Sequence, residues 1–226
     1  MIWARFSEFL VRAAFWLVAR GLFRIRVVGQ EHLPSTGSAL LVANHVTFLD
    51  GFIIGWCVRR VPRFLVWKPY YLLKRINWAL RLAQAIPLGT GPHDVAKSVR
   101  DARRELEQGH LVCIFAEGFI TRTGNLLPFK RGLETIAQGL DVSIIPVHLD
   151  GLWGSVFSFE RGGFFWKLPR QMRHPVTVSF GVAMPAFSTA NEVQQTIQQL
   201  AAEAVAQAPA LLSRQAIHGK RGVPVE

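Results

Sequence analysis

The chain has 226 residues, enough for one large domain or at most two small ones. Half of them are hydrophobic and the mean hydropathy is +0.23, which excludes disorder for the bulk of the chain. The 26 Lys and Arg against 15 Asp and Glu give +11, and with 7 Trp and 16 Phe this points to an anionic partner, either a membrane surface or a nucleic acid.

The opening stretch, MIWARFSEFLVRAAFWLVARGLF, is apolar but broken by Arg5, Glu8, Arg12 and Arg20. No uncharged run reaches the ~18–20 residues a bilayer crossing needs, and no small-residue cleavage site follows. Ile2, Phe6, Phe9, Leu10, Ala13, Trp16 and Leu17 recur at helical spacing beside a strip of Arg5, Glu8 and Arg12. The spacing predicts an amphipathic helix over 1–21. It either lies in a membrane interface, with Arg20 at headgroup level, or packs on the core of its own domain.

Strand-like apolar runs follow at 22–29, 39–44, 62–67, 111–116, 143–149 and 176–180. Helical patterns alternate with them. One spans 94–107, with Asp94 as its cap and Gly109 past its end; another spans 189–207, where Thr189 and Glu192 have capping-box spacing. Continuous rather than alternating apolar strands predict an α/β fold, with a mostly parallel central sheet buried between helices. The body of the domain is expected over 22–207. From 208 to 226 the periodicity fades into charge, Gly and Pro, which reads as a tail or linker. Cys57 and Cys113 lie in apolar runs without CxxC spacing, so reduced core thiols are expected and no metal site.

Chemistry concentrates in LLVANHVTFLDGFIIG, residues 40–55. Residues five apart on a helix are turned about 140° from each other, so His45 and Asp50 meet only if His45 lies in the loop closing a strand and Asp50 in the first turn of a helix. Thr47 is a candidate cap for that helix. A strand's C-terminal end is where ligands bind in open α/β sheets. A histidine held by an aspartate at one ring nitrogen keeps the other free to take a proton, as a general base does; a merely structural pair is the alternative. Downstream, FAEGFITRTG sets Glu117 and Gly118 after another strand, with Thr121, Arg122 and Thr123 suited to a phosphate.

NHxTFLDG, FAEGxITRTG followed by FKRG, and IIPVHLDG stand in the order and rough spacing of the glycerolipid acyltransferase blocks. Over about residues 22–185 the chain resembles the lysophosphatidate-type acyltransferases. Within them it looks most similar to the acyltransferase domain of the bacterial bifunctional enzymes that reacylate 2-acyl-glycerophosphoethanolamine. The resemblance implies transfer of a fatty acyl group from acyl carrier protein or coenzyme A to the free hydroxyl of a lysophospholipid, without an acyl-enzyme and without a cofactor. His45 would deprotonate the hydroxyl and Asp50 would orient His45. Lys68, Arg122 and Lys130 or Arg131 would hold the phosphate, and Glu117, Gly118 and Thr121 would belong to the substrate site, with backbone N–H groups near Gly118 as the oxyanion donors.

Two departures stand out. No arginine follows the Ile-Pro of AIPLGTGP, residues 85–92, and position 120 holds Ile where the family pattern has Arg. Both weaken a grip on bare glycerol phosphate and favour a larger phosphodiester head group. The resemblance places the protein at the cytoplasmic face of the inner membrane, peripheral or monotopic, and allows it to be one domain of a longer chain. The aromatic and basic segment 151–175 reads either as an interfacial loop or as core packing. A nucleic-acid-binding module is disfavoured, because the aromatics sit within apolar runs. A lipid-binding scaffold of the same fold and a hydrolase using the same base are the remaining alternatives.

Overall fold

The computed structural model describes residues 2–160 and 174–219. At its centre the strand β2 (Ala39–Ala43) has five consecutive residues wholly removed from solvent. A strand reads this way only when both its faces and both its edges are covered. Its edges are taken by β5 (Leu111–Phe115) and β6 (Ser143–Asp150), both parallel to it, with Ala43 opposite Phe115 on one side and Val147 on the other. Beyond β5 come β3 (Arg63–Trp67) and the short β4 (Ile86–Leu88). Beyond β6 come β7 (His174–Phe180) and β1 (Phe23–Val28), giving the order β1-β7-β6-β2-β5-β3-β4. Every pairing is parallel except β6 with β7.

The strand period of two sends alternate side chains to two cores. Leu41, Cys113, Ile145 and Val147 face helices α1 (Ile2–Leu22) and α2 (Asp50–Cys57). Leu40, Val42, Val112 and Ile144 face α5 (Pro92–Glu107), α6 (Gly132–Ala137) and α7 (Ala190–Gly219). The expected three-layer α/β architecture is what the chain adopts. Both cysteines are buried and unpaired, and burial pushes both thiols well above the ordinary cysteine range.

The first helix buries Val11, Phe15 and Ala19 against the domain, and Phe15 meets the rings of Phe52 and Phe64 edge-on. Gly55 on α2 makes this docking possible: a Cβ there would sit 2.0 Å from the Phe15 ring. Arg12 donates to the Arg59 carbonyl. Yet Phe9, Trp16 and Leu17 stay largely exposed on the opposite side, so the helix is apolar on two faces. The side chains of Ile2, Arg5, Phe6 and Glu8 fall outside the described residues. No helix among the described residues is long and apolar enough to cross a membrane.

Several local readings shift. The helix predicted from Asp94 begins two residues earlier, at Pro92, with Gly91 at its N-cap; Asp94 lies in the first turn and pairs with Lys68 instead of capping. Proline suits this position because its missing N–H has no partner there in any helix. The other end is as expected. Gly109 takes φ +82, with His110 N–H on the Glu105 carbonyl (3.0 Å) and Gly109 N–H on Leu106 (2.9 Å), the paired bonds that close a helix on a left-handed glycine. The Thr189–Glu192 box forms in both directions: Thr189 N–H reaches the Glu192 carboxylate at 2.7 Å and Glu192 N–H reaches the Thr189 hydroxyl at 3.3 Å. The helix it starts runs to Gly219, past the boundary at 208.

Candidate active site

The parallel strands β2, β5 and β3 end at one edge, at Ala43, Phe115 and Trp67. Residues 44–49 turn away from β2 and lead into α2, whose first residue is Asp50. His45 therefore lies in the strand-closing loop and Asp50 in the first helical turn, the only arrangement that lets them meet. His45 Nδ1 lies 2.8 Å from Asp50 Oδ2.

Asp50 is wholly buried, and its carboxylate is saturated. It accepts from the backbone N–H of Val46 (2.6 Å) and Thr47 (3.0 Å), from the Thr47 hydroxyl, and from the His45 ring. Such a carboxylate accepts only, so the His45 nitrogen facing it carries the proton and Nε2 is the basic one. The ring also lies flat on Phe115, centroids 4.1 Å apart and 14° from parallel. Its side chain is 19% exposed, so the base is reachable while its orientation is fixed on two sides. Thr47 does not cap α2, as its spacing suggested; it accepts from Leu49 N–H and donates to Asp50, bracing the same turn.

Glu117 is nearly inaccessible and joins two loops. One oxygen accepts from His45 N–H at 2.7 Å, the other from Leu127 N–H at 2.9 Å. Burial pushes its carboxyl above the usual range, with these two bonds opposing the shift. Asn44, buried beside it, makes a two-way bridge to β6: its amide donates to the Leu149 carbonyl (3.1 Å) and accepts from Leu149 N–H (2.8 Å). His45, the candidate base, is thus held through Asn44, Asp50, Phe115 and Glu117, from three strand ends and one helix.

The expected phosphate ligands divide into two groups. Thr121 turns inward: its N–H meets the His45 carbonyl at 2.9 Å, and its buried hydroxyl donates to the Asn125 carbonyl while accepting from the N–H groups of Thr123 and Gly124. It builds the loop rather than facing a ligand. Gly118 takes φ +74, and a Cβ there would fall 2.6 Å from the Lys130 amine. Its own N–H is spent on the Phe115 carbonyl (3.0 Å), so that group is not among the donors open to an oxyanion.

Arg122 and Lys130 are the outward pair. The Arg122 guanidinium sits over the Phe159 ring at 5.2 Å, and the Lys130 amine over Phe119 at 4.3 Å. Among the described residues neither is paired with a carboxylate. Lys68 differs, since its amine lies 2.7 Å from Asp94, and this cation holds the Asp94 carboxyl below its usual range. Asp94 packs where the chain leaves β4: Gly89 lies against it so closely that a Cβ would be 2.2 Å from the Asp94 side chain. In the segment 151–175, Phe157 packs against Phe23, and Trp153 lies so close to Gly124 that a Cβ there would fall 2.8 Å from its ring. Arg161, Phe164, Phe165, Trp166, Lys167, Arg170 and Arg173 lie outside the described residues.

Sequence reasoning passed over Asn44, Thr47 as an Asp50 partner, and Phe115. Asn44 carried a signal, a polar amide directly after five buried apolar residues, where an unpaired amide would be costly. For Phe115 stacking there was none, because it depends on which strand lies beside β2.

Residues 24–150 match the Acyltransferase family. The 1-acyl-sn-glycerol-3-phosphate acyltransferase LPAT1 of Arabidopsis thaliana chloroplasts is 26% identical over 149 residues, which are 65% of this chain and 42% of that protein. The 1-acyl-sn-glycerol-3-phosphate acyltransferase of Bacillus subtilis is 27% identical over 144 residues, 61% of this chain and 68% of that protein. The chain spans about half the length, or less, of the plant relatives it matches. The crystal structure of the 1-acyl-sn-glycerophosphate acyltransferase from Thermotoga maritima superposes over 92% of this chain and 80% of that one, with a TM-score of 0.63 at 21% identity, and shares the fold. The family match covers more than half of the chain and includes the loops that carry His45, Asp50 and Glu117, and the chain belongs to the Acyltransferase family.

Proposed function

We propose that the protein transfers a fatty acyl group from a thioester donor to the free hydroxyl of a lysophospholipid at a membrane surface. The observation that carries this reading is the 2.8 Å contact of His45 Nδ1 with the saturated, buried Asp50, which leaves Nε2 basic and reachable. His45 Nε2 takes the proton of the acceptor hydroxyl, whose oxygen attacks the thioester carbonyl carbon. The resulting tetrahedral adduct expels the thiolate, which recovers the proton from the imidazolium. The ester bond forms as the carbon–sulfur bond breaks, and no enzyme nucleophile is consumed. Asp50 and Glu117 act as positioning residues, one through the ring and one through the backbone of His45.

Arg122 and Lys130 are the phosphate ligands of this reading, since both are exposed and, among the described residues, unpaired with a carboxylate. Lys68 is offset by Asp94, and no arginine stands beyond β4. Arg131 pairs with Glu134 at 3.0 Å, and among the described residues two such cations without a third suit a singly charged phosphodiester better than the doubly charged phosphate of lysophosphatidate. Glycerophosphoethanolamine-type acceptors are therefore favoured. The resemblance to the bifunctional enzymes favours acyl carrier protein over coenzyme A as donor, and the inner face of the cell membrane as location.

The test is acyl transfer by purified protein, with labelled acyl carrier protein or acyl-coenzyme A and a panel of lysophospholipids in mixed micelles. The expected result is transfer that prefers lysophosphatidylethanolamine over lysophosphatidate and is lost in His45→Ala. Preference for lysophosphatidate would keep the mechanism and overturn the head-group argument. Transfer undiminished in His45→Ala would overturn the mechanism.

A further inference from the structure

Helices α3 (Lys68–Tyr71) and α4 (Lys74–Leu82) connect β3 to β4, and neither has a single buried residue. Leu82 of α4 packs partly buried against the core, and a helix that buries so little is normally polar over the rest of its surface. This connector is not: Leu72 is 60% exposed, Leu73 50%, Ile76 41% and Trp78 67%. Such apolar surface on adjacent residues marks an interaction site.

Charge identifies the partner. From Gly51 to His93 there is no carboxylate, while that stretch holds seven Lys and Arg, among them the exposed Lys74, Arg75 and Arg81. The connector lies beside α1, whose outer face exposes Phe9, Trp16 and Leu17. At its other end it reaches the candidate active site. Trp67 and Tyr70, both about half exposed, meet edge-on at 5.3 Å, and Tyr70 meets Phe48 at 5.4 Å, three residues from His45. Aliphatic groups for the acyl boundary, aromatic rings for the headgroup level and cations for anionic lipid therefore run together from α4 to the loop of the base.

We infer that the α3–α4 connector is a lipid-docking element that lies, with the outer face of α1, against an anionic bilayer surface, so that the acceptor reaches His45 from the leaflet past Trp67, Tyr70 and Phe48. This rests on the reading under Proposed function for the identity of the acceptor, but the docking itself does not.

The experiment is flotation with vesicles of phosphatidylcholine alone, or mixed with phosphatidylglycerol, using the full chain and two variants. Arg75→Glu with Arg81→Glu reverses charge; Leu72→Ser, Leu73→Ser and Trp78→Ser together remove the apolar groups. Circular dichroism and melting temperature report folding for each. The wild type is expected to bind mixed vesicles more tightly than neutral ones, less so at high salt. The charge variant should lose at least about tenfold in affinity for the mixed vesicles, from the roughly fivefold attraction per surface cation. The apolar variant should lose binding to both. Transfer to vesicle-embedded lysophospholipid should fall in parallel, while transfer to a short-chain, water-soluble acceptor stays unchanged.

Wild-type affinity in both folded variants would overturn the proposal. So would a concentration-dependent dimer of the wild type that the apolar variant abolishes without affecting vesicle binding, because the patch would then belong to a second copy. Loss of vesicle binding in the variants, with no transfer by the wild type to any acceptor, would uphold the docking surface and remove the acyltransferase reading instead.

Discussion

At the residue scale, His45 and Asp50 share one hydrogen bond and differ in nearly everything else. His45 is partly exposed and its ring supports little of the fold, whereas Asp50 satisfies two backbone N–H groups and a hydroxyl from full burial. His45→Ala is expected to lower transfer by at least about 10²-fold and to leave the melting temperature nearly unchanged. Asp50→Asn is expected to lose both. Its amide nitrogen would face an N–H donor whichever way it is turned, an unmet pairing worth roughly 1–3 kcal/mol. Thermal melts beside single-turnover assays separate the two, and equal destabilisation by both substitutions would contradict this division of labour. The pair itself was legible in the sequence because its spacing fits only a loop-to-helix junction. The tie through Glu117 was not, since Glu117 meets His45 through a backbone N–H and any residue at 45 except proline would offer one.

Single elements depend on small contacts at their ends and faces. The N-terminus of α7 is held by two carboxylates, Glu192 through Thr189 N–H and Glu134 through Ala190 N–H, and these backbone bonds keep both below the usual glutamate range. A group whose native pKa is lowered stabilises the fold above its unfolded value and loses that contribution as the pH falls through the native one. Unfolding monitored against pH should show a carboxylate component of stability that is lost from about pH 4.3 downward. The slope should be shallower in Glu134→Gln with Glu192→Gln, because glutamine still accepts the bonds but does not titrate. On α2, Gly55→Ala would drive a methyl group into the Phe15 ring, at an expected cost of about 1–3 kcal/mol. Limited proteolysis should then cut α1 sooner than in the wild type; an unchanged digestion rate would mean that Phe15 has another place to go. The strands were legible because buried parallel strands are continuous apolar runs. The three-residue β4 was too short to give a pattern, as was the four-residue α3, and α4 was passed over because it buries none of its residues fully, Leu82 alone being packed partly buried against the core among the residues of that helix. The first helix defeated the choice between core and interface by presenting an apolar stripe to each.

Across the whole molecule, the titratable and reactive groups buried in the core predict how the fold responds to solvent. His148 on β6 is largely enclosed, its Nδ1 without a partner among the described residues, and burial holds its imidazole below the usual histidine range, opposed by Asp150. By the same linkage its contribution is complete above the ordinary value, about pH 6.5, and is lost as the pH falls through the native one. The acid limb should therefore begin well before the carboxylates titrate, and His148→Leu should remove that first part. Cys57 at the end of α2 and Cys113 on β5 should resist a thiol reagent in the native protein and react together in denaturant; reaction of Cys113 alone would show that the sheet opens locally, and of Cys57 alone that the end of α2 does. Strand order was the part of the architecture that composition and periodicity did not contain, and it governs when the chain becomes competent. Both neighbours of β2 are synthesised long after it, β5 beginning at Leu111 and β6 at Ser143. Until β5 has left the ribosome Phe115 cannot lie beneath His45, and until β6 has followed Asn44 has no Leu149 to bridge. If the first helix docks on lipid as proposed, a growing polypeptide would meet the bilayer for most of its synthesis with the proposed base incomplete, and that site would come into being only as a late event of translation.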